Sequence, residues 1–100
     1  MDDIVIKKEV TTVRVEETFN RDLISIGDYV EVCEYNTNNE IKSKYTGMII
    51  EMSKDISNRE YLIVYCYSNR SLKLHRTTIF TIDILEKAYS IKILNKVREE

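Results

Sequence analysis

The sequence predicts a small all-β domain, a closed barrel of five to six antiparallel strands, on three observations. Thirty of its 100 residues are Ile, Val or Thr, against a single alanine. Side chains branched at Cβ lose χ1 freedom in a helix but pack well on a pleated sheet. Apolar and polar residues alternate with period two in short runs, each bounded by Asn, Asp, Ser or Gly, which is the pattern of half-buried strands. With two glycines and no proline, the turns fall to asparagine, which tolerates a left-handed backbone better than other non-glycine residues. A chain of this length makes one domain, not two.

The elements follow in order. Residues 4–18 contain no turn former, and Ile4 and Ile6 lie on one parity while Val13 and Val15 lie on the other. One extended N-terminal strand that changes face at a bulge near residues 10–12 is therefore expected. Residues 1–20 are read as this strand extension, 21–95 as the barrel and 96–100 as a charged tail. After the break at Asn20-Arg21-Asp22, Gly27-Asp28 turns into a strand over 29–35. In it Val30, Val32 and Glu34 share one face and Tyr29, Glu31, Cys33 and Tyr35 the other.

A polar loop runs from 36 to about 43 with Asn38-Asn39 inside it, and a strand over 45–52 carries Gly47, the mark of a bulge or bend. A polar connection over 53–59 leads to the cleanest strand, 60–67. There Leu62, Val64 and Cys66 face one way and Tyr61, Ile63, Tyr65 and Tyr67 the other. The polar link Ser68-Asn69-Arg70-Ser71 closes a hairpin onto the next strand, which begins Leu72-Lys73-Leu74-His75. Ile79, Ile82 and Ile84, at spacings of three and two, place a helical turn near 81–85, and the last strand covers 89–93.

Two segments carry a family resemblance. Gly27-Asp28-Tyr29-Val30-Glu31-Val32 followed by Thr46-Gly47-Met48-Ile49-Ile50-Glu51 is similar to the paired strands of KOW-type barrels in the SH3-like group. His75-Arg76-Thr77-Thr78-Ile79-Phe80-Thr81-Ile82 is similar in spacing to a late basic segment of Sm-like RNA chaperones, with Arg76-Thr77 where those proteins have lysine and histidine. The resemblance implies an SH3-like barrel over roughly residues 26–94. It brings no RNA-contact residue to this chain, because fold does not imply function.

Signals for chemistry are sparse. His75 is the only histidine, and no acid or cysteine stands beside it at a metal-ligand spacing. Cys33 and Cys66 form no Cys-x-x-Cys pair and read as small buried hydrophobes. A nucleophilic role for either would need His75 as base, brought near by the fold. Two glycines 20 residues apart make no phosphate-binding loop. The expectation is a protein that is not an enzyme and uses no cofactor or metal. No apolar run reaches the length of a membrane span and the N-terminus is acidic, so a cytoplasmic location with no membrane partner is expected. Abundant Ile, Lys, Asn and Tyr fit an AT-rich coding genome, that of a low-GC bacterium or its mobile element.

Charge distribution says more. Residues 1–40 hold 4 basic and 10 acidic side chains, against 11 basic and 7 acidic in residues 41–100. No acid occurs between Tyr61 and Ile82. Arg70, Lys73 and Arg76 share that segment with Tyr61, Tyr65 and Tyr67, and these six residues are the candidate interaction face. One reading has the tyrosine row covered by the N-terminal segment or a second copy of the chain, tyrosine suiting a place where the ring packs and the hydroxyl stays wet. The chain is then a protein-binding or self-associating module, with strand-edge addition at residues 4–15 as another route. The other reading is RNA or single-stranded DNA, whose phosphates take the cations and whose bases stack on the rings. Lys42 and Lys44 beside Tyr45 extend the basic surface in that case.

Overall fold

The computed structural model describes residues 4–11, 14–68 and 73–97. The elements are β1 (Val5–Thr11), β2 (Arg14–Phe19), β3 (Tyr29–Tyr35), β4 (Ile41–Lys54), β5 (Glu60–Ser68), β6 (Lys73–Phe80), α1 (Thr81–Leu85) and β7 (Tyr89–Asn95). The all-β class holds, and the helical turn lies at the expected residues. β1 and β2 form a two-stranded sheet, and the other five an antiparallel sheet in the order β6-β5-β4-β3-β7. That sheet is not closed as a barrel: β6 and β7 are its two edges and no ladder joins them.

The N-terminal segment corrects the expectation of one extended strand. It is a hairpin of β1 and β2, and its register shifts between Glu9 and Thr11, an irregularity close to where a bulge was expected. Its register sets Lys7 opposite Glu17, and opposite charges facing across a ladder contribute about 0.2 to 1 kcal/mol.

The core lies on the inner face of the larger sheet. Val30 and Val32 of β3, Ile49 of β4, Leu62, Val64 and Cys66 of β5 and Ile79 of β6 are buried together, with Ile91 and Ile93 of β7 packed alongside. Val5 and Phe19 from the hairpin and Ile24 from the following loop complete the cluster. A face left open by an unclosed sheet is thus covered by the hairpin, and burying side chains of this size stabilises by about 1.5 to 3 kcal/mol each.

β4 holds this geometry through two irregularities. At Gly47 any Cβ would stand 2.3 Å from the backbone oxygen of Tyr65, so only glycine lets β5 approach so closely. Two residues on, the register slips between Ile49 and Glu51. This bulge moves the inward positions from odd to even numbers, so that Ile49 and Met52 both face the core.

Asn39 and Asn58 take φ of 63° and 65° and Gly27 takes 98°, so asparagine does turn the chain as expected. Lys87, at φ 60°, does the same after α1 without a side chain suited to it.

Two buried carboxylates tie the parts together. Glu60, at the start of β5 and 4% exposed, accepts hydrogen bonds from the Phe19 N–H at 3.0 Å, the Thr18 hydroxyl at 2.9 Å and the Arg21 guanidinium at 3.1 Å. Asp28, fully buried, accepts from Lys96 Nζ at 2.7 Å, the Val97 N–H at 2.9 Å and the Ser25 N–H at 2.9 Å. Lys96 also donates to the Leu23 carbonyl at 2.9 Å, so residues expected to begin a charged tail are anchored to the loop before β3.

Burial pushes the Asp28 pKa up, but the Lys96 ammonium and the two N–H donors outweigh it and hold it below its ordinary value. A carboxyl lowered by folding stabilises the folded state above its unfolded pKa and loses that contribution as the pH falls through the lowered one. Asp28→Asn is therefore expected to cost about 2 kcal/mol at pH 7. It should also flatten the decline of stability below about pH 5, as read from urea midpoints against pH. An acid limb as steep as that of the parent protein would contradict this.

Candidate interaction face

The outer face of the sheet follows from the ladder register, because residues directly opposite in an antiparallel pair share a face. One row runs Tyr29, Met48, Tyr65, Arg76 across β3, β4, β5 and β6, and the next runs Glu31, Thr46, Tyr67, Leu74. Tyr29 is 46% exposed, Met48 46%, Tyr65 40%, Tyr67 46% and Leu74 57%. These five large side chains are neighbours by register on one side of the sheet. The N-terminal hairpin packs on the opposite side, so it does not cover the tyrosine row. The covering expected from that segment is corrected here: Phe19 and Val5 belong to the inner core.

Of the sequence candidates, Tyr65, Tyr67 and Arg76 come together on this face. Tyr61 lies on the same face one end away and is engaged within the chain. Its hydroxyl donates to Glu51 Oε2 at 3.0 Å, and its ring meets Phe80 at 5.6 Å, which in turn lies under the Arg59 guanidinium at 4.9 Å. Lys73 sits opposite Ser68, a register position belonging to the other face. Arg70 lies outside the described residues. Tyr29, Met48 and Leu74 were not among the candidates. Their parities were legible, but only the pairing of four strands aligns them with Tyr65 and Tyr67.

The electrostatics of the face are close to balanced. Lys44 pairs with Glu31 on this face at 3.7 Å, and Lys42 with Glu34, which has the inner parity, at 3.3 Å, so the two lysines expected to extend a basic surface are answered by β3 acids. Arg76 is exposed and makes no ion pair among the described residues. The Tyr29 and Thr46 hydroxyls are hydrogen-bonded at 3.0 Å, which fixes one ring of the patch in place.

Below the sheet, Cys66 stands directly opposite His75 in the β5–β6 ladder. Proximity alone does not activate it, since a nucleophilic thiol needs a lowered pKa. Here burial pushes the Cys66 thiol up to about 11, and its Sγ lies 3.5 Å from the Val64 carbonyl oxygen, which accepts its hydrogen bond. Tyr45, whose ring meets His75 edge-on at 5.5 Å, is likewise raised by burial to about 12. Cys33 is buried as well. Among the described residues no group of three or more His, Cys, Asp or Glu is placed to hold a metal. No helix there is long and apolar enough to cross a membrane.

No family model, curated protein or solved structure matches the chain.

With the thiol raised to about 11 against an ordinary value near 9, Cys66 carries roughly 100-fold less thiolate at pH 8 in the folded protein than in the unfolded chain. Iodoacetamide is expected to modify Cys66 at least that much more slowly without urea than with it, as mapped by mass spectrometry. Rapid labelling of the folded protein would contradict the burial described.

Proposed function

We propose that the protein is a cytoplasmic, non-catalytic interaction module that binds a protein surface through the outer face of its five-stranded sheet. The single observation that carries this reading is the contiguous exposed patch of Tyr29, Met48, Tyr65, Tyr67 and Leu74 with Arg76 at its border. Tyrosine, methionine and arginine are the residues enriched at the cores of protein interfaces. Large exposed patches of this composition are uncommon on surfaces with no partner. The sheet supplies a rigid platform, so the side chains lose little conformational entropy on docking. The mass of the protein in solution distinguishes a second copy from another protein as the occupant.

A nucleic-acid reading keeps one specific support: Arg76 directly opposite Tyr65 places a cation beside an exposed ring, the pairing that single strands use. Balanced charge over the rest of the patch favours protein.

Tyr65→Ser and Met48→Ser remove exposed side chains, so both variants should keep the parent urea midpoint. Each is expected to weaken self-association or partner binding by about tenfold or more, corresponding to at least ~1.4 kcal/mol, measured by sedimentation or titration calorimetry. Unchanged binding in both would overturn the protein reading. Oligonucleotide binding at low salt that weakens as salt rises to about 200 mM would replace it with the nucleic-acid one.

A further inference from the structure

β7 is an edge of the larger sheet, so one side of its backbone carries no ladder. Such an edge is a template for another strand. Beside it a groove of about 690 Å³ opens between the hairpin, α1 and β7, lined by the apolar side chains of Ile4, Val5, Ile84, Leu85, Tyr89 and Ile91. The groove lies on the inner side of β7, where Ile91 pairs with the buried Val32. It is separate from the tyrosine patch on the outer face.

Charge identifies what this edge accepts. Among the described residues Lys87 is the only charged one in the groove lining, and Lys92 stands exposed at the middle of β7 on the outer side, opposite Glu31. Neither makes an ion pair among the described residues, and no acidic residue occurs from Lys87 to Val97. A strand laid along β7 alternates its side chains between the two faces. Its inward residues would enter the apolar groove and its outward residues would meet Lys92. A second β7 paired about the middle of the strand is disfavoured as the occupant, because it would set one Lys92 against another, and like charges directly opposite destabilise a ladder.

From this we infer that β7 binds an extended acidic segment of another protein by strand addition, with apolar residues at alternate positions seated in the groove and Asp or Glu between them. The backbone ladder supplies affinity, and the groove with Lys87 and Lys92 supplies selectivity.

Random-peptide display selected on the intact protein tests this directly. The expected result is enrichment of sequences that alternate Ile, Val or Phe with Asp or Glu. Their affinity, read by fluorescence anisotropy, should fall about tenfold for Lys92→Glu and for Leu85→Lys, two substitutions at exposed positions that leave the core intact. Tyr65→Ser should leave it unchanged, which separates this site from the outer face. Methylation of alternate peptide amides should abolish binding, as it blocks the ladder. Enriched peptides without acidic alternation, none enriched at all, or equal affinity for Lys92→Glu would overturn the inference.

Discussion

Glu60 begins β5 with its carboxylate buried, and a charge removed from water must recover its lost hydration from the protein around it. Among the described residues it does so from the segment that precedes the larger sheet, through Thr18, the Phe19 N–H and Arg21. The consequence is directional. Hydrogen bonds to a buried carboxylate fix position as well as distance, so they set where the end of β2 lies over the inner face, and Phe19 enters the core beside its own anchored N–H. Without that anchor a two-stranded hairpin, marginal alone in water, would have only apolar packing to hold it.

The rest of the architecture depends on this placement. An unclosed sheet has two faces to manage, and one short hairpin covers one of them. Placing it on the inner side leaves the Tyr29, Met48, Tyr65, Tyr67 and Leu74 side chains on the outer side to solvent. Asp28 performs the same service at the other end, joining the loop before β3 to the residues after β7 through Lys96 and Val97. The two clamps tie the segments outside the larger sheet to it, and Gly47 lets β5 approach β4 closely at its centre. What remains uncovered, the outer face and the β7 edge, is where an interaction module has surface to offer.

Much of this was legible in the sequence, and the failures have a common cause. Strands, core parity in β3 and β5, the helical turn at 81–85, asparagine turning and the special status of Gly47 are local properties, readable from period and residue type. The hairpin was missed because residues 4–18 contain no conventional turn former, although Lys7-Lys8 and Glu16-Glu17 carried a complementary charge signal that a pairing search would have found. Non-local facts were harder. The partners of Glu60 are about 40 residues away, and nothing in its own neighbourhood marks it as buried. For the interaction face, half of the signal was present: an even-numbered hairpin link places Arg76 with the tyrosines and Lys73 away from them. Tyr29 and Met48 required the registers of two further ladders.

The central claim is that the hairpin and the larger sheet form one cooperative unit joined at Glu60. Native-state hydrogen exchange of the Phe19 amide, the proton donated to Glu60, tests it most directly. If the claim holds, this amide opens only with global unfolding, at the same free energy as the amides of Leu62 and Val64 in the core of β5. Exchange of Phe19 through local opening, while Leu62 and Val64 remain protected, would show that the hairpin detaches independently and would contradict the account.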